Sequence, residues 1–122
     1  MNITKWMNRA QQLSKKSTCT EWGIGAVYIV GGKNKGEGFN RYSAKFETIS
    51  KRFGVPFFSL HAEMDAIFSS GCIEGGTLFV AGIKNNGRKV NCKPCKSCMK
   101  VISHLGINVY YETKEGIQYV GC

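Results

Sequence analysis

Three of the six cysteines fall in one short run, Cys92-Lys93-Pro94-Cys95-Lys96-Ser97-Cys98. This crowding constrains the fold more than any other feature of the chain. With no secretion signal visible in MNITKWMNRAQQLSKK, it argues for reduced thiols, some of them binding metal, over a disulfide framework. Cys95 and Cys98 are three positions apart, so on a helix both thiols share a face and can grip one ion. Of the two histidines, His61 stands two positions before Glu63 in HAEMDAIF, where an apolar run begins. His104 lies within a second helical pattern and reads as a packing or surface residue.

Two soft thiolates and one imidazole suit zinc, and three protein ligands leave the fourth tetrahedral position open, as catalytic zinc sites require. Within a helix, residues two apart diverge by about 200°. His61 and Glu63 therefore reach one pocket only if His61 opens its helix. A competing arrangement uses Cys92, Cys95, Cys98 and His61 as a closed, structural site, which gives Glu63 no purpose. Cys19, Cys72 and Cys122 read as ordinary small side chains.

The apolar spacing of Ile3, Trp6, Met7, Ala10 and Leu13 predicts an amphipathic helix that frays at Lys15 and Lys16. GIGAVYIVGG followed by KGEGFN predicts a hairpin. Residues 41–60 show no clean period and are expected to form a long loop. HAEMDAIFSSG predicts a helix stopped by Gly71, TLFVAGI a buried strand, NNGRKVNCK a loop, and CKSCMKVISHLG a second short helix with Pro94 at its start. INVYYE and IQYV, joined by TKEG, must pair antiparallel, because a parallel return needs a far longer crossover. The expectation is one α/β domain over residues 1–122, with roughly five strands and three helices around a mixed five-stranded sheet.

His-Ala-Glu at 61–63 with Pro-Cys-Lys-Ser-Cys at 94–98 resembles the zinc-dependent cytidine and deoxycytidylate deaminases. GEGFN at 36–40 is similar to the strand-end segment whose asparagine touches the substrate sugar in that family. The resemblance implies a three-layer cytidine-deaminase-like sandwich with an antiparallel C-terminal hairpin. It also implies Zn²⁺ held by His61, Cys95 and Cys98, which lowers the pKa of a water, and Glu63 as the proton shuttle. Asn40 and the backbone of Ala62 would position sugar and base. The short C-terminal connection resembles the hairpin-ended branch with the free cytidine deaminases, whereas those typically carry Cys where this chain has His61, and GEGFNR also resembles tRNA adenosine deaminases.

A formal net charge of +9 attracts phosphate. The expected partner is a small cytosine nucleoside or nucleotide. A single-stranded DNA or RNA substrate, with cytosine or adenine as the base, is the alternative, carried by the basic and aromatic stretch NRYSAKFETISKRFGVPFF. Phe46, Phe53, Phe57 and Phe58 read alternatively as core or subunit contacts. Arg41, Lys45, Lys51 and Arg52 are expected to read phosphate. No apolar run approaches bilayer length, so no membrane partner is expected, and with no secretion signal visible a cytoplasmic location is the default expectation. A homo-oligomer is expected, because the family usually closes its sites with loops from neighbouring subunits.

Overall fold

The computed structural model describes residues 1–19, 22–57, 59–84 and 86–121. The readings of Phe58 and Cys122 lie outside the described residues. In chain order the elements are α1 (Ile3–Ser14), β1 (Trp22–Val30), β2 (Lys33–Phe39), α2 (Lys45–Phe53), α3 (Ala62–Ser69), β3 (Thr77–Lys84), α4 (Lys96–His104), β4 (Asn108–Thr113) and β5 (Gly116–Val120). The strands form one sheet in the order β2-β1-β3-β4-β5. Only β3 and β4 run parallel; the other pairs are antiparallel, including the expected β4–β5 hairpin.

Strand alternation splits the core in two. On one face Val27 and Ile29 of β1, with Phe79 and Ala81 of β3, meet Met7, Ala10 and Leu13 of α1. On the other, Ala26, Tyr28, Leu78 and Val80, with Val109 of β4, meet residues of α2, α3 and α4. The result is the three-layer α/β/α sandwich expected from the resemblance. Gly31 and Gly32 turn the β1–β2 hairpin with φ of 59° and 77°, the two left-handed positions that a type I′ turn needs.

Glycines set how deeply one helix seats. A Cβ on Gly36 would strike the carbonyl oxygen of Ala66, and one on Gly38 would lie 2.5 Å from the carbonyl oxygen of Ala62. These two β2 positions face the same way, so α3 rests on bare strand backbone.

Residues 41–60 are not one long loop, because they contain α2. Phe46, Ile49 and Phe53 give that helix its inward stripe, and Gly54 ends it with φ of 63°. Only Ile49 is buried within it, and three apolar residues in a nine-residue helix are too short a run to show as a period across 41–60, whose other described residues are not helical. Pro94 also differs from expectation: it precedes the N-cap Cys95 and lies one position outside the helix.

Candidate metal centre and active site

His61 and Cys95 occupy equivalent places, each the N-cap of its helix. His61 has extended backbone, φ −79° and ψ 146°, and its carbonyl accepts the first helical bond, from Asp65 at 3.0 Å. Cys95 Sγ accepts from the backbone N–H of Cys98 at 3.5 Å, a thiol standing where a capping oxygen usually does. This is how two residues two apart come to share a pocket: His61 stands before the helix turns, and Glu63 is in its first turn.

His61 Nδ1 lies 3.3 Å from Cys98 Sγ and 3.5 Å from Cys95 Sγ. The three donor atoms all fall within 4.8 Å of one another. Around a tetrahedral zinc with Zn–S of about 2.3 Å and Zn–N of about 2.0 Å, sulfur and nitrogen ligands stand about 3.5 Å apart. The donor set thus fits zinc in both chemistry and spacing. Phe57 packs edge-on against the imidazole at a centroid distance of 5.1 Å and fixes its plane.

The protons of this group are unevenly shared. A hydrogen bond from Cys98, and then one from His61, pulls the Cys95 thiol down to about 3. Cys98, bonded to Cys95 and buried, is raised well above the ordinary thiol range, and His61 is raised chiefly by its bond to Cys95. A metal ion entering here displaces those protons.

Cys92 is not part of the group. Burial, then the charges of Glu112 and Glu63, push it up to about 12, and its thiol points to the carbonyl of Val90 at 3.5 Å. Among the described residues the only such donor group is His61, Cys95 and Cys98, so the closed four-ligand arrangement is not formed.

Glu63, 6% exposed, lines the same cavity of about 760 Å³. Burial raises its carboxyl above the ordinary range, partly opposed by its own backbone N–H and by His61. Ala62, fully buried, forms the adjoining wall with its N–H at the first helical position, where no intrahelical acceptor exists. Asn40 also lines the cavity, but its amide is tied to β1: Oδ1 accepts from Ile24 N at 2.8 Å and Nδ2 donates to Trp22 O at 3.2 Å.

The charged residues of 41–60 stand elsewhere. Arg41 donates to Asp65, Lys45 Nζ is 3.9 Å from Asp65 Oδ1, and Arg52 lies over the rings of Phe53 and Phe68. None of these, nor Lys51, lines the cavity. Phe57 is in the core, with Phe46 and Phe53 packed against it, as the packing reading expected. His104 is exposed at the end of α4, its ring 6.5 Å from that of Phe53. Sequence reasoning missed Trp22, Tyr42, Lys84, Lys93 and Lys114 on the cavity wall, and Cys19 beside them, because no linear motif joins them.

The profile of the cytidine and deoxycytidylate deaminase zinc-binding region matches residues 1–113. No curated protein sequence matches the chain. Among solved structures, the chain is similar to a dCMP deaminase from the cyanophage S-TIM5 in complex with dCMP and dUMP, with 25% identity, 90% and 79% of the two chains covered and a TM-score of 0.66. A cytidine deaminase from Burkholderia pseudomallei gives 19% identity, 99% and 93% coverage and a TM-score of 0.70. One from Mycobacterium leprae gives 22%, 98% and 93%, and 0.60. With the profile spanning most of the chain and the zinc-fitting donors on two helix starts, this protein belongs to the cytidine and deoxycytidylate deaminase family.

Proposed function

We propose that the chain is a zinc-dependent hydrolase that converts a cytosine nucleoside or nucleotide to its uracil product and ammonia. The observation that carries this reading is a buried carboxyl, Glu63, on the wall of a cavity that His61 and Cys95 of the three-donor group also line. His61, Cys95 and Cys98 are the residues that would hold the metal. Zinc in such a site lowers the pKa of a bound water to about 7.

Glu63 then works as a shuttle. Its carboxylate takes a proton from the attacking water and passes it to N3 of the ring; a second proton, from the newly bonded oxygen, goes to the C4 amino group, which leaves as ammonia. Burial alone makes the carboxyl hold a proton more readily than an exposed glutamate does, and a zinc ion beside it would pull the other way. Asn40, pinned to β1, and the free N–H of Ala62 would orient sugar and base.

The test is ammonia release and base conversion with cytidine, deoxycytidine, CMP, dCMP, adenosine, single-stranded DNA and tRNA. Glu63→Gln is expected to keep its zinc and fold while turnover falls about 10²–10⁴-fold. Equal rates for variant and parent would overturn the role. Polynucleotide deamination is the second reading. It draws on Trp22 and Tyr42, 46% and 78% exposed at the cavity, since exposed rings are what single-stranded bases stack on.

The reading takes residues 1–122 as one catalytic domain that acts as a homo-oligomer. Ile117 and Tyr119 on the edge strand β5 are 44% and 53% exposed, which supports a subunit contact there, to be checked by light scattering. Among the described residues no helix is long and apolar enough to cross a membrane.

A further inference from the structure

Lys84, Lys93 and Lys114 come from three separate places: the end of β3, the segment before α4, and the β4–β5 turn. Hydrogen bonds bring them to one end of the sheet. Lys84 N donates to Arg88 O at 2.8 Å, folding the 88–92 segment back on β3, and Cys92 N donates to Glu112 O at 2.9 Å, tying it to β4. All three lysines line the cavity that Glu63, His61 and Cys95 also line.

Elsewhere the basic side chains that meet an acid pair with it: Arg9 with Glu37, Arg41 and Lys45 with Asp65, and Lys89 with Glu112. Among the described residues Lys84, Lys93 and Lys114 have no ion-pair partner, and the only acid on the described lining is the buried Glu63. Three ammonium groups around one concave space focus a positive potential into it. A phosphate monoester carries about −1.5 to −2 charges at pH 7, which three such groups match.

We propose that Lys84, Lys93 and Lys114 form the phosphate subsite of this centre, so that its substrate is a cytosine mononucleotide and not the free nucleoside. The proposal rests on the deaminase reading above. A cavity of about 760 Å³ has room for base, sugar and phosphate. Of the rings a polymer could stack on, only Trp22 and Tyr42 are exposed at the cavity, while Phe46, Phe53 and Phe57 are packed into the core or against it.

The experiment compares dCMP with deoxycytidine on the zinc-loaded protein, for the parent, Lys84→Gln, Lys93→Gln, Lys114→Gln and the triple variant. Binding of dUMP is measured alongside by calorimetry, independently of turnover. Lys33→Gln and Lys35→Gln, on the exposed β1–β2 hairpin, control for net charge. The parent is expected to prefer dCMP, and each cavity variant to raise KM for dCMP about tenfold more than KM for deoxycytidine. Binding of dUMP should weaken in parallel, and the triple variant should lose the preference.

Equal effects on dCMP and deoxycytidine, or none, would overturn the subsite and leave the deaminase reading intact. Turnover of a single-stranded oligonucleotide, with neither monomer converted, would overturn it in favour of a polymer. If nothing is converted by the zinc-loaded protein, the deaminase reading fails, and dUMP binding still decides the subsite: lysine-dependent affinity supports it and unchanged affinity overturns it.

Discussion

Arg41 donates from Nη1 to Asp65 Oδ2 at 2.6 Å, and its backbone exchanges two hydrogen bonds of 3.1 Å with Leu60. One residue therefore grips the chain on both flanks of His61. Asp65 also accepts from Phe39 N at 3.3 Å, so the end of β2, Arg41 and the first turn of α3 meet at one buried carboxylate. Its side chain is 5% exposed and that of Arg41 25%.

Asp65→Ala is expected to cost about 2–3 kcal/mol in urea unfolding, since removing one member strands the other's charge in a largely dry setting. Arg41→Ala should cost a similar amount. The double variant should lose clearly less than the sum of the two; strict additivity would show that the pair is not coupled.

The cysteines separate by metal content. Cys95→Ser and Cys98→Ser should each lose the zinc, whereas Cys92→Ser, whose thiol points to Val90 O, should retain one ion per chain by elemental analysis. Loss of zinc from Cys92→Ser as complete as that from Cys95→Ser would restore the closed, structural site and remove the catalytic one.

Gly38→Ala is expected to destabilise the fold by about 1–3 kcal/mol and to lower zinc affinity, because its Cβ would press on the first turn of α3, at Ala62 O and Ala66 N. Alanine at the open Gly87 turn meets no neighbour within 4 Å, although its φ of 82° adds local strain. That variant should leave zinc affinity as it was. Equal zinc titrations for the two variants would refute the seat.

Acid stability should carry a mark of Arg9 and Glu37. The hydrogen bond from Arg9 holds the Glu37 carboxyl below its ordinary value of 4.5. Its contribution is therefore present above about pH 4.5 and lost as pH falls through the folded-state value. The side chains are 37% and 30% exposed, so solvent screening limits the effect to about 0.5–1 kcal/mol. Glu37→Gln should flatten the acid limb of the stability profile below pH 4.5 by that amount and leave chelator sensitivity unchanged.

The metal donors were legible because their chemistry is local in sequence: Cys95 and Cys98 share a helix, and His61 with Glu63 marks another helix start. Four strands were legible from branched residues and the brevity of TKEG, and β2, KNKGEGF, only as the return arm after the Gly31-Gly32 turn. Helix α2 was not, since its Phe46, Ile49 and Phe53 span only nine residues and the segments on either side of them follow no period. Nor was the fate of Arg41: a cation beside the site in sequence turns away to Asp65, and only the pairing of Arg41 with Leu60 dictates that. The cavity lysines were invisible for the opposite reason, being distant in sequence and joined only by strand topology.

The seat of α3 on Gly36 and Gly38 has an evolutionary consequence. Main chain resting on main chain fixes the depth of a helix with no side chain as a spacer. Substitutions among the large apolar residues on the opposite face, where α1 packs, can then accumulate without displacing the helix that carries His61 and Glu63. Packing on the α1 face can drift on a clock of its own while the donors on the other side of the sheet stay where they are.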